Sequence, residues 1–306
     1  MVQIGHRARQ EPAGELVTQS RAATEATTPE RTDTGDYAVR LEADLKIAER
    51  VHRSMIPVNQ RRGSLEIVCD FQPMRGVGGD YASVHFQNDQ RVVVGICDVA
   101  GHGVASALLA TRVNSFVLDQ APRVCHPCQL VDSLNQFVFR NFRETELYVT
   151  FFSLFIDLER QTVVGAGCGH PPVFHYARRE EVIHRMEPEN AAIGLLKDLS
   201  QTCSMLQVPF EPGDRLMLYT DGLTESTNPD GLMLGVDGLE RYFTETAHLP
   251  PRKCVDAITR RVRDFRGGLA ANDDQLLLVI SHLDLSGASG AALTESVAGV
   301  EIGTAA

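Results

Sequence analysis

The sequence contains no tryptophan, and aromatic residues make up only 6% of it. That leaves few flat side chains on which single-stranded bases could stack. Basic residues are in deficit as well: 29 Lys and Arg stand against 40 Asp and Glu, a formal net charge of −11. A general nucleic-acid binder needs the opposite balance, so none is expected. Long hydrophobic runs are also missing. The longest apolar stretches, such as VVVGIC (92–97) and LLLVI (276–280), fall far short of the roughly 20 residues that cross a bilayer. The first thirty residues carry Arg7, Arg9, Glu11, Glu15 and Arg21 and no apolar segment of the signal-peptide type. Neither membrane insertion nor export is expected. The chain reads as cytoplasmic, and its seven cysteines read as reduced thiols.

What is present is ordinary globular composition: 43% hydrophobic and 23% charged residues over 306 positions, enough for one large domain or two small ones. Residues 1–36 show no sustained hydrophobic period and 285–306 are mostly Gly, Ala and Ser, so both read as flexible tails. Residues 37–57 predict a connector helix. Ala38, Leu41, Leu45, Ala48, His52 and Met55 alternate steps of three and four, while Glu42, Lys46, Glu49 and Arg53 lie off that stripe and Pro57 stops it. The spacing suits a short homodimeric coiled-coil seam and equally a helix packed on its own domain. A folded sensory domain does not fit before residue 37, so a regulatory input is expected through a partner, the tail or oligomerisation.

A single domain is expected over 62–284. Strands are predicted at LEIVCDF (65–71), VVVGICDV (92–99), VTFFSLFIDL (149–158), QTVVGAGC (161–168), RLMLYTD (215–221) and QLLLVISHL (275–283). Helical periodicity marks 103–121, 127–142 and 251–266. Runs of strands and runs of helices favour an α+β layered fold over regular βαβ alternation.

Four apolar runs end or begin on aspartate: VGGDY with Asp80, GICDVAGHG with Asp98, LMLYTDG with Asp221, and NDDQLLLV with Asp273 and Asp274. Taken singly, an Asp beside Gly at a strand end is most often a turn residue. Gathered, these hard oxygen ligands suit Mg²⁺ or Mn²⁺, and two ions held about 3.5–4 Å apart make a hydrolase centre. Weaker features carry structural readings. CHPC (125–128) has the spacing of a redox or zinc half-site but no second pair, His170 sits in a proline-fixed turn, and Arg260, Arg261, Arg263 and Arg266 read as a solvated helix face.

From about Leu65 to Leu283 the chain resembles the PPM-type metal-dependent serine/threonine phosphatases, in the SpoIIE/RsbU branch. The resemblance rests on PMRGVGGDY (73–81), CDVAGHGVASALL (97–109), GAGCGHPPVF (165–174), FEPGDRLMLYTDGLTES (210–226), NPDGLMLG (228–235) and NDDQLLLV (272–279). It implies an αββα sandwich, two antiparallel β-sheets flanked by helices. It also implies two divalent ions, Mn²⁺ or Mg²⁺, on Asp80, Asp98, the backbone carbonyl of Val99, Asp221 and Asp273, with Asp274 as the second choice at the last strand. Catalysis would run through metal-bound water; Arg75 would meet the substrate phosphate and His102 would stand behind the ligands. By the same resemblance the substrate is a phosphorylated STAS-domain anti-anti-sigma factor, in sigma-factor regulation and stress response. A catalytically weak phosphatase-like binding module is the alternative, and a two-metal hydrolase of small phosphoesters a third reading. The chain departs from the family pattern at Leu276 (for Thr), Ala105 (for Pro), Gly76-Val77 (for Glu-Val) and Leu232-Met233-Leu234-Gly235 (for Glu-x-Phe-Gly), none of which removes a carboxylate.

Overall fold

Strand-forming stretches in this chain bury both faces, and the period-2 alternation of their side chains divides the interior into three apolar layers. The computed structural model describes residues 34–74, 76–101, 103–187, 190–200 and 202–286. The chain divides into two units, Met1–Leu41 and Glu42–Ala306. The division falls inside helix α1 (Thr34–Arg53). That helix begins three residues earlier than the sequence stripe predicts. It ends at Arg53 rather than at Pro57, because Ser54, Met55 and Ile56 close single turns onto Arg50, Val51, His52 and Arg53.

The second unit continues with β1 (Gln60–Arg62), β2 (Leu65–Gln72), β3 (Tyr81–Phe86) and β4 (Arg91–Val99). Helices α2 (Val104–Gln120) and α3 (Pro127–Phe142) follow, then β5 (Val149–Asp157) and β6 (Thr162–Cys168). Next come β7 (Val173–Ala177), β8 (Val182–Met186), β9 (Leu206–Pro209) and β10 (Arg215–Tyr219). The short α4 (Asp221–Thr224), α5 (Gly235–Thr246), α6 (Pro251–Phe265) and β11 (Gln275–His282) complete it. One sheet has the order β1-β2-β11-β10-β7-β8 and the other β3-β4-β5-β6-β9, each built of antiparallel pairs. Strands β1, β3, β7, β8 and β9, none longer than 6 residues, were not among the predicted strands.

On β4, Val92, Val94 and Ile96, with Phe152 and Leu154 of neighbouring β5, face the other sheet, where they meet Ile67, Leu216 and Leu278. The alternate residues Val93, Cys97 and Val99 face α2 and α3 through Leu109, Val113, Leu130 and Leu134. On the far side Val68, Met217, Leu277 and Val279 pack on Leu239, Phe243, Val255 and Ile258 of α5 and α6. The result is the αββα sandwich that the resemblance implies. Among the described residues no helix is long and apolar enough to cross a membrane.

Two expectations need correcting. Cys128 and Cys203 are joined by a disulfide across 75 residues, with Cα atoms 5.8 Å apart, so the cysteines are not all reduced thiols. The pairing is invisible in sequence because Cys203 reaches Cys128 only once the sheets have formed. Arg266 does not lie on a solvated face: it is buried, and its Nε has no partner. Arg261, by contrast, pairs with Glu245 on α5.

The intersheet layer carries the stability. Phe152 is fully buried there. Phe152→Ala is expected to lose about 3–5 kcal/mol, counting both transfer and cavity. Urea unfolding checks this, and a loss below about 1 kcal/mol would place the stabilising layer elsewhere.

Candidate metal centre

Antiparallel registry brings the acidic strand ends together. Tyr81 lies opposite Cys97, so Asp80, one residue before β3, meets Asp98 near the end of β4. In the other sheet Tyr219 lies opposite Leu277, and Thr220 binds Leu276 through both its N–H and its side-chain oxygen. That sets Asp221, the first residue of α4, beside the Asp273-Asp274 pair preceding β11. Both sheets therefore deliver carboxylates to the same end of the sandwich.

Their environment is hostile to charge. Asp80 is 3% exposed, and its Oδ2 has no hydrogen-bond partner. Burial first and the neighbouring Asp98 second push its pKa well above the ordinary range, against a hydrogen bond from the Thr220 hydroxyl. Burial and Asp221 raise Asp98 to about 7. Burial, Glu225 and Asp273 raise Asp221 to about 6. Buried like charges with an orphaned carboxylate oxygen are the donor set that a hard cation satisfies. The residues present therefore fit divalent ions, although among the described residues no three such groups already form a closed cage.

The two adjacent aspartates differ. Asp274 is buried, and its Oδ1 accepts the Met74 N–H at 2.7 Å. Burial raises its pKa; hydrogen bonds from the Met74 and Gly79 N–H groups oppose that rise. Asp273 is half-exposed, and its Oδ1 accepts the Asp274 N–H at 2.8 Å. Asp274 thus ties down Met74 and Gly79, while Asp273 uses only Oδ1 in a hydrogen bond. The paired Gly78 and Gly79 have separate reasons. A Cβ on Gly78 would lie 1.3 Å from Asp274 Oδ2, and one on Gly79 would lie 2.7 Å from the Val99 carbonyl oxygen. Gly222 is held in the same way, its would-be Cβ 2.0 Å from the Asp274 carbonyl.

Two participants escaped the sequence reading. Thr220 was hidden as an ordinary strand residue before Asp221. In the sequence His52 is only one position of the helical stripe, yet it is 3% exposed, with its ring 5.3 Å from Phe71. Burial lowers its pKa, against the attraction of Asp274. His170 is architectural: its Nδ1 lies 2.8 Å from Thr150 Oγ1, and burial lowers its pKa to about 3. Arg75 and His102 lie outside the described residues.

Paired antiparallel sheets, flanking helices and an acidic cluster at one end define a PPM-type phosphatase domain. The chain belongs to the Stage II sporulation protein E (SpoIIE) family, whose model matches residues 88–283. It is 24% identical over 246 residues to the phosphoserine phosphatase RsbU of Bacillus subtilis, covering 78% of this chain and 70% of RsbU. With RsbP of the same organism, also a phosphoserine phosphatase, it shares 24% over 196 residues, 62% of this chain and 47% of RsbP. In fold it is similar to the SiaA-PP2C domain of Pseudomonas aeruginosa, with a TM-score of 0.71 at 20% identity over 81% of this chain and 99% of that one. The PP2C phosphatase domain of SpoIIE from Bacillus subtilis, solved with a fragment of its regulatory domain, gives 0.60 at 19% identity over 73% and 64%.

The raised pKa values give a signed expectation. An acid whose folded pKa is raised contributes stability that is present below its unfolded value, 3.8 for Asp98, and lost as pH rises through about 7. Metal-free protein should therefore melt lower at about pH 7.5 than at about pH 5. Asp98→Asn should shrink that difference by several degrees, at about 2–4 °C per kcal/mol for a domain of this size. Calorimetry in EDTA measures it, and identical pH slopes for the two proteins would refute the raised pKa of Asp98.

Proposed function

We propose that the chain is a metal-dependent protein serine/threonine phosphatase that hydrolyses phosphoserine or phosphothreonine on a regulatory protein. The observation that carries this reading is the convergence of Asp80, Asp98, Asp221 and Asp273 at one end of the sandwich, with the pKa values of Asp80, Asp98 and Asp221 raised and an unsatisfied Asp80 oxygen. Asp80, Asp98, the Val99 carbonyl, Asp221 and Asp273 would hold two divalent ions, Mn²⁺ or Mg²⁺. When bound, such ions lower the pKa of water and offset charge on phosphoryl oxygens. RsbX, a protein of the same fold, has been solved in complex with magnesium.

The protein's own groups do the positioning. Thr220 orients the Asp80 carboxylate through its hydroxyl. Asp274 holds Met74 and Gly79, and Gly79 rests against the Val99 carbonyl. Asp273 is the ligand of the pair because Asp274 already accepts two backbone N–H groups. Arg75 for the phosphate and His102 behind the ligands complete the set on sequence grounds alone. The substrate is proposed to be a phosphorylated STAS-domain anti-anti-sigma factor in a partner-switching pathway in the cytoplasm. Structural neighbours include the RsbU and RsbW domains of Rv1364c from Mycobacterium tuberculosis and a protein of the bacterial stressosome.

Asp98→Asn and Asp221→Asn are each expected to lower Mn²⁺-dependent phosphate release from a phosphorylated STAS protein at least about 100-fold, as loss of a few kcal/mol of transition-state stabilisation requires. Full turnover by either, or activity undiminished by excess EDTA, would sink the reading. Asp273→Asn should raise the half-saturating Mn²⁺ concentration more than Asp274→Asn, whose larger effect should be on thermal stability. The reverse order would move the ligand by one residue.

Helix α1 is proposed as the seam to a second copy of the chain. The stripe divides: His52 is buried and Met55, just beyond α1, is half-buried, while Leu41 and Leu45 are exposed. Apolar side chains recurring in steps of three and four, with charged residues between them, suit a coiled-coil partner. Leu41→Asp with Leu45→Asp should reduce the sedimenting mass or change specific activity severalfold while metal dependence persists. Unchanged mass and turnover would leave α1 a tether.

A further inference from the structure

The cysteines fall into two groups. Cys69 is half-buried, and burial pushes its thiol up to about 12. Cys97, Cys168 and Cys254 are buried, and burial raises their thiol pKa values, leaving them unreactive. Cys125, Cys128 and Cys203 are different. Cys128 is the second residue of α3, directly after Pro127 at its start, and is bonded to Cys203. Cys125 lies three residues before Cys128, at the spacing of dithiol redox sites. It is exposed and free, and it lines a cavity of about 430 Å³. Gln207 of β9, four residues beyond Cys203, lines the same cavity. The turn that carries Cys125 and Cys128 is pinned as a unit. The Cys125 N–H donates to Gln129 Oε1 at 3.0 Å, and the Gln129 N–H donates to His126 Nδ1 at 3.3 Å. A free thiol three residues before a disulfide-bonded cysteine, on the same turn, is the spacing that permits exchange.

We propose that Cys125, Cys128 and Cys203 form a thiol–disulfide exchange site that fastens the segment before β9 to α3 or releases it. The Cys125 thiolate attacks Cys128 Sγ. A Cys125–Cys128 bond forms as the Cys128–Cys203 bond breaks, and the electron pair leaves on Cys203, which takes up a proton. One disulfide and one thiol are present before and after, so no external oxidant or reductant takes part. The reverse attack by Cys203 restores the first state.

The consequence follows from what else holds this segment. Ile193 exchanges two backbone hydrogen bonds with Val149, at 2.8 and 3.0 Å. Val149 in turn lies opposite Val99 in the β4–β5 register. The Asn135 side chain accepts the Gly194 N–H and donates to the Leu196 carbonyl, both at 2.9 Å. The Asn190 side chain accepts the Ser204 N–H at 2.8 Å. The disulfide is the one covalent tie among these attachments between the described residues of the segment and α3. Its loss leaves hydrogen bonds, each worth only about 0.5–1.5 kcal/mol net, and the packing of Leu199.

Full-length protein is alkylated under denaturing, non-reducing conditions and its disulfides are mapped by peptide mass spectrometry, with hydrogen exchange followed over residues 190–200. Wild type held anaerobically at about pH 8 is expected to contain both linkages. Cys203→Ser, incubated with oxidised glutathione, should form Cys125–Cys128; Cys125→Ser, an exposed position that does not threaten folding, should keep only Cys128–Cys203. Amides of 190–200 should exchange severalfold faster in Cys203→Ser than in Cys125→Ser. Wild type carrying Cys128–Cys203 alone, or no disulfide, would overturn the exchange. So would failure of Cys203→Ser to form Cys125–Cys128, and equal amide exchange in the two variants would overturn the fastening. These readouts are bond connectivity and amide exchange, so they stand or fall apart from the phosphatase reading.

Discussion

Buried carboxylates held against their own repulsion are the constraint on which the rest of this structure depends. Like charges a few ångströms apart in a low-dielectric setting repel by several kcal/mol even with generous screening. Two antiparallel sheets supply the force that keeps them together, because β3–β4 and β10–β11 are each locked in register by hydrogen bonds and by apolar side chains on both faces. A slip of one residue in either pair would turn every apolar side chain to the wrong face. The acidic end therefore has its geometry fixed by the apolar interior behind it. The raised pKa values of Asp80, Asp98 and Asp221 are the trace of burial first and of neighbouring carboxylates second.

Asp274 shows how the surroundings of the site are organised. Its carboxylate joins three parts of the chain that are distant in sequence: β11, the 74–79 loop through Met74 and Gly79, and helix α1 through the electrostatic attraction of His52. The glycines at 78, 79 and 222 are required because backbone and carboxylate approach one another more closely than any Cβ allows. Gly78 and Gly79 cannot move without disturbing Asp80, which follows them directly. The neighbouring Asp273, less buried and less committed, is chemically freer.

At the α3 end the fold is held differently. There the segment leading to β9 is fastened by two asparagines, a backbone bridge and a disulfide rather than by a continuous ladder. Such attachments can be undone one at a time, whereas the intersheet layer yields only with the whole domain.

The strands β2, β4, β5, β6, β10 and β11 were legible because each is a run of apolar or β-branched residues whose burial is set by its own composition. Helices α2, α3 and α6 were legible from their 3.6-residue period. The acidic positions were legible because an aspartate terminating an apolar run is chemically out of place. Strands β1, β3, β7, β8 and β9 and helices α4 and α5 were not, being short or weakly patterned and stabilised mainly by neighbours. Sequence alone thus determined the α+β class and the candidate carboxylates, since both follow from local composition and order. Tertiary structure decided that Asp274 clamps Met74 and Gly79 while Asp273 uses only one oxygen, that His52 and Arg266 are buried, and that Cys203 rather than Cys125 bonds Cys128. Each of these depends on which residues, far apart along the chain, the packed sheets bring within a few ångströms, and no local pattern encodes that distance.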